Sequence, residues 1–219
     1  MSIKQNLNQI KSSLPEQVTL VAVSKTKPVS EIMEAYNAGQ RIFGENKIQE
    51  MVEKQEEMPN DIEWHMIGHV QRNKVKYMAS FVSLIHGVEN FRTLKEINKQ
   101  AKKHERVINC LLQIKIAEED SKFGMTANEA SEILRSNEFE ELKNIKVVGV
   151  MGMATFTDDQ DQIKTEFTQL KTTSNQLKSL NSDLEIISMG MSGDYPLAIA
   201  CGSNMIRVGS RIFGERNYN

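Results

Sequence analysis

TLVAVSKTKPVSEIMEAYNAGQRIFGEN, Thr19 to Asn46, contains one complete unit of the fold. TLVAVSK (19 to 25) runs through alternating β-branched residues and reads as a strand. Pro28 follows where a helix's first turn tolerates a missing N–H, and Gly39 stands where the helix stops. QRIFGEN (40 to 46) is β-rich again. Strand, helix and strand in that order predict a parallel crossover unit.

The same alternation continues outward. IEWHMIG (62 to 68), SLIHGVE (83 to 89), NCLLQIKI (109 to 116), KVVGVMGMA (146 to 154), LEIISMGM (184 to 191) and NMIRVGSRIF (204 to 213) bring the strand-like runs to eight. Polar, helix-periodic stretches such as NKIQEMVEKQEE and NFRTLKEINKQAKKHE separate most of them. Thr126 and Glu129 have capping-box spacing, and Asp158, Asp159 and Asp161 suit a helix start. Eight units predict an α/β fold with one domain over residues 1–219. The expected architecture is a (β/α)8 TIM-type barrel with an extra N-terminal helix over roughly residues 2 to 13; an open doubly wound sheet is the alternative. RIFGEN at Arg41 and RIFGER at Arg211 match no solenoid period and read as two barrel strands sharing a β-rich hexamer.

A chain of 219 residues, 39% hydrophobic, suffices for one packed core. Its formal net charge of −2 lacks the basic footprint of a nucleic-acid binder. MSIKQNLNQIKSSLPEQ has no apolar segment before a small-residue cleavage site, and no run approaches the roughly 20 apolar residues of a membrane span. The expectation is a soluble cytoplasmic protein with no membrane partner. Cys110 and Cys201 have no CxxC partner and read as reduced thiols, with Cys110 a small buried hydrophobe. His65 and His69 are four apart without a third ligand, so no metal site is expected, and no nucleotide-binding glycine motif occurs.

Side chains alternate along a strand, so Val21, Val23 and Lys25 share one face. If the valines fill a barrel, Lys25 points inward at the C-terminal rim, where barrel enzymes place their sites. A solvated charge is the ordinary reading of a strand-end lysine, but no acidic residue adjoins this one in sequence. Partial desolvation frees an amine to add to an aldehyde as a Schiff base. Lys27 has the same parity but precedes Pro28, where solvent or a bound anion would meet it.

An aldolase and a pyridoxal phosphate protein both use such a lysine; a permanent phosphate site separates them. Barrels commonly hold phosphate on the loops after strands 7 and 8. Here SMGMSGD (188 to 194) and RVGS (207 to 210) occupy those places, with Ser192 and Ser210 as hydroxyl donors; ordinary turn chemistry is the competing explanation. Arg207, one residue from Val208 in register, either faces the interior or forms a structural salt bridge.

VAVSKTKP, RIFGENKIQE, WHMIGHVQRNK, SKFGM, GVMGMA, SMGMSGD and GSNMIRVGSRIFGER occur in order across nearly the whole chain. In these motifs the sequence resembles the YggS/PROSC family of pyridoxal phosphate homeostasis proteins. The resemblance implies a barrel similar to the N-terminal domain of bacterial alanine racemase, holding pyridoxal 5′-phosphate without established turnover. It implies a Schiff base on Lys25, with Asn46 beside the cofactor, Met189 and Ser192 bordering ring and phosphate, and Gly209 and Ser210 binding phosphate. Arg207 would approach the pyridine nitrogen or the phosphate, and His65 would be a neighbour. His69 departs from the leucine-like residue expected before VQ.

An arginine at the ring nitrogen keeps that nitrogen an acceptor and the ring a weak electron sink. The racemase resemblance also implies a second base from a further domain, which is not expected in this chain. The expectation is therefore a non-catalytic protein that buffers or delivers the cofactor within the cell, with cofactor-dependent apo-enzymes as recipients and a monomeric state. A racemase-like enzyme acting on amino acids and a Schiff-base aldolase acting on a phosphorylated sugar are the alternatives.

Overall fold

Eight β-rich runs become eight strands in the computed structural model of the chain, which describes residues 2–118 and 123–215. They are β1 (Thr19–Val23), β2 (Ile42–Glu45), β3 (Glu63–Met66), β4 (Leu84–Val88), β5 (Ile108–Gln113), β6 (Ile145–Met151), β7 (Ile186–Ser188) and β8 (Met205–Val208). Each pairs in parallel with the next, and β8 returns to β1. Val21 lies opposite Arg207 and Ala22 opposite Val208. The sheet is thus a closed barrel, and the open-sheet alternative falls. Ser121 and Lys122 of the SKFGM motif lie outside the described residues.

The helices are α1 (Ile3–Ser13), α2 (Val29–Asn37), α3 (Ile48–Glu57), α4 (Val75–Met78), α5 (Phe91–Lys103), α6 (Ala127–Arg135), α7 (Asn137–Glu140), α8 (Gln160–Lys178), α9 (Tyr195–Ala200) and α10 (Ser210–Phe213). Local chemistry sets several starts. Ser2 with Gln5 and Thr126 with Glu129 close capping boxes on α1 and α6, and Asp159 caps α8 through the amides of Asp161 and Gln162. Pro28 is not inside the first turn of α2 but at its N-cap, extended at ψ 155°, accepting from the amides of Glu31 and Ile32.

Strand alternation sorts the side chains into two cores. Val21, Leu84, Leu111, Met151 and Met205 fill the barrel interior, with Val23 and Ile42 packed against them. Leu20, Ala22, Phe43, Trp64 and Ile85 face outward onto helical residues such as Ile32, Met51, Leu94, Ile97 and Phe167. No helix among the described residues is long and apolar enough to cross a membrane.

Two strand expectations require correction. β1 ends at Val23, so Lys25 belongs to the turn that follows. NMIRVGSRIF is not one strand either: β8 stops at Val208, Gly209 accepts from the amides of Ile212 and Phe213, and Ser210–Phe213 are helical. RIFGEN is a strand and RIFGER begins in a helix. Tertiary packing decides between them, because Ile212 and Phe213 are buried and the Asn6 side chain of α1 donates to the Ile212 carbonyl at 3.0 Å.

Candidate functional site

A cavity of about 990 Å³ opens at the C-terminal ends of the strands, at the upper end of the range for small-molecule sites. Lys25, Asn46, Ser192, Arg207, Gly209 and Ser210 all line it. Topology explains the meeting of residues so distant in sequence. Lys25 follows β1, Gly209 and Ser210 follow β8, and these two strands are paired neighbours. Asn46 follows β2 on the other side of β1.

The cavity is electropositive. Lys25, Lys27, Lys47, Lys74 and Arg207 line it, and among the described lining residues there is no Asp or Glu. Lys27 donates to the Phe213 carbonyl at 2.9 Å and approaches Glu31 at 3.2 Å; Lys74 donates to Gln49 at 3.1 Å. A cationic cleft with low-dielectric walls draws anions even though the whole chain is slightly acidic.

Arg207 faces the barrel interior and is 4% exposed. Its guanidinium donates to the Ser188 carbonyl at 2.9 Å, the Ser188 hydroxyl at 2.6 Å and the Gly152 carbonyl at 3.0 Å. Burial pushes its pKa down to about 10, partly offset by Asp194, so it carries its charge at neutral pH. Behind it, Ser188 Oγ lies 3.1 Å from His86 Nδ1, and His86 Nε2 lies 3.1 Å from His65 Nδ1. Burial holds His65 down to about 3 and His86 well below the ordinary imidazole value, with His65 and then Arg207 adding to the effect on His86. Both rings are therefore neutral. His65 belongs to this sealed polar layer beneath the cavity and not to its lining.

The loop after β7 is pinned to β8. Gly190 accepts from the Arg207 amide at 2.9 Å, and the Gly209 amide donates to Ser192 Oγ at 3.2 Å. Gly190 has φ +98°, and a Cβ there would stand 2.6 Å from Ala198 Cβ, so only glycine makes this bend unstrained. Met189 is fully buried in the outer core, a correction to its expected place beside a ligand. With Ser188 inward, alternation sends Met189 outward; Met191, beyond the end of β7 and the bend at Gly190, lines the cavity instead.

Other residues in and beneath the cavity escaped sequence reasoning. His69 stacks on Phe123 with centroids 4.5 Å apart and meets Glu89 at 3.2 Å. Its unusual place before VQ was the only signal. His86 and Ser188 lie within apolar runs, where an isolated polar residue carries no label of the layer it will join. Among the described residues no cluster of His, Cys, Asp and Glu suits a metal ion. Cys110 is buried, which pushes its thiol up and away from reactivity.

The family model described as "Alanine racemase, N-terminal domain" matches residues 1–217. A "Pyridoxal phosphate homeostasis protein" of Pasteurella multocida is 39% identical, with all of both chains covered. PipY of Synechococcus elongatus, solved without PLP, superimposes with a TM-score of 0.92 at 34% identity, covering 97% of this chain and 100% of that one. The PipY structure with PLP bound gives 0.89 at 33% identity, with the same coverage.

Proposed function

Since the chain belongs to the alanine racemase N-terminal domain family and, within it, to the pyridoxal phosphate homeostasis proteins, we propose that it holds pyridoxal 5′-phosphate reversibly on Lys25 and buffers or delivers it without turnover. One observation carries this reading: paired β1 and β8 bring an amine and a set of hydroxyl and amide donors to one wall of a cavity whose described lining lacks carboxylates. That donor set fits an aldehyde with a phosphate ester. PipY, similar over nearly its whole length, has been solved with PLP bound.

When bound, pyridoxal 5′-phosphate supplies an aldehyde carbon and a ring that accepts electrons. Lys25 would hold that group through its side-chain nitrogen, at the aldehyde carbon. Ser192, Ser210 and the amides at the start of α10 hold the phosphate, and Asn46 flanks the cofactor. Lys27 and Lys74 add cationic attraction from the rim. Arg207, buried and charged, is a donor at the cavity floor, so a ring nitrogen or phosphate oxygen that met it would stay an acceptor. That arrangement suits retention better than carbanion chemistry.

The test compares wild type and Lys25→Ala after incubation with pyridoxal 5′-phosphate and gel filtration. Wild type is expected to keep the cofactor with a visible absorption band and the variant to lose both; wild-type content and colour in the variant would overturn the assignment. Proton NMR of the loaded protein with amino acids in D₂O should show persistent Cα–H signals. Exchange abolished by Lys25→Ala would restore the enzyme reading.

A further inference from the structure

The turn that carries Lys25 is closed by the Lys27 amide donating to the Ser24 carbonyl at 3.1 Å, but that bond alone does not account for its shape. Thr26 has φ +64°, a left-handed conformation that a β-branched residue adopts only under constraint. The constraint is visible on both sides of Lys25. Lys54 Nζ donates to the Ser24 carbonyl at 2.8 Å, Glu45 Oε1 at 2.8 Å and Glu50 Oε1 at 2.7 Å, which uses all three ammonium hydrogens. Ser24 Oγ donates to the same Glu45 oxygen at 2.6 Å, and the Thr26 amide donates to the same Glu50 oxygen at 2.5 Å. Ser24 is thus tied through carbonyl and hydroxyl, and Thr26 through its amide.

The geometry points to Lys54, with Glu45 and Glu50, as the positioning centre of the lysine turn: one buried ammonium on α3 fixes the backbone before and after Lys25 and so aims its amine into the cavity. This rests on the role proposed for Lys25. The side chains of Lys54 and Glu45 are 7% and 0% exposed, a costly location for ions whose only purpose is to join α3 to β2. An apolar pair would pack there as well but would leave the Ser24 carbonyl and hydroxyl without these partners, and Glu50, which holds the Thr26 amide, without the Lys54 ammonium. Burial pushes the Glu45 carboxyl up while Lys54 pulls it down, and Glu45 Oε2 has no hydrogen-bond partner among the described residues. A variant without Lys54 therefore has a way to relax, because Glu45 can take up a proton and stay buried.

The discriminating experiment measures hydrogen exchange at the Thr26 amide of apo-protein, with cofactor retention measured separately. Lys54→Met is expected to speed Thr26 exchange and weaken retention by about tenfold each, the scale of a charge-assisted hydrogen bond, with amides of β4 and β5 unchanged. Glu50→Ala, at a half-buried position, should speed Thr26 exchange even if Lys54→Met does not fold. Glu50→Gln keeps an acceptor oxygen and should restore near wild-type behaviour in both readouts. Wild-type exchange at Thr26 in Glu50→Ala, or a Lys54→Met that loses thermal stability alone, would overturn the proposal and leave an ordinary core ion pair. The exchange readout decides the matter in apo-protein whether or not wild type retains cofactor.

Discussion

At the scale of single residues, the two neutral histidines beneath the cavity tie folding to pH. A buried histidine whose folded pKa is depressed contributes stability that is present above its unfolded value near 6.5 and is lost as pH falls. For His65 the loss continues down to about pH 3, and His86 is likewise held well below the ordinary imidazole value. Each group costs roughly 1.4 kcal/mol per pH unit inside that window. Urea unfolding of apo-protein at pH 7 and pH 5 should therefore show a smaller pH-dependent loss of stability in His86→Asn than in wild type. Equal losses would mean that His86 is not held neutral. This layer was illegible in the sequence, because SLIHGVE presents His86 as one polar residue in an apolar run. Lys25, in contrast, was legible through the parity of Val21 and Val23, although β1 stops before reaching it. Met189 was misplaced because the parity set by Ser188 inside the barrel sends its neighbour outward.

At the scale of elements, the loops that build the site are spaced by backbone contact. A Cβ on Gly68 would collide with the Asn46 carbonyl oxygen and stand 2.8 Å from Asn46 Cα, so the loops after β2 and β3 lie directly against each other. Gly68→Ala should push the Asn46 loop away from the cavity and cost roughly 1–3 kcal/mol, as overpacking does elsewhere. Thermal unfolding and cofactor retention should both fall; a variant normal in both would show that the loop moves freely. Helices with strong periodicity or caps, such as α3, α5, α6 and α8, were readable because local rules and tertiary packing agree there. The α10 segment was not, since its residues favour a strand and only the turn at Gly209 and the contact with α1 make them helical.

For the molecule as a whole, a formal charge of −2 coexists with a cationic cavity, so charge is sorted by position. Retention of a phosphate ester should weaken several-fold between about 0.05 and 0.5 M salt while apo-protein stability changes little, because screening acts on the open cavity more than on the packed core. Equilibrium dialysis at the two salt concentrations is the check, and salt-independent retention would remove the cavity field from the explanation. Closure of the barrel has a further consequence for the chain as it is made. Lys25 arrives just after the first strand and Gly209 and Ser210 just after the last, so a ribosome must release nearly the entire barrel before the proposed amine and phosphate donors can meet. Retained cofactor then marks a molecule that has finished folding, and the cellular pool of free cofactor favours that finished form by mass action.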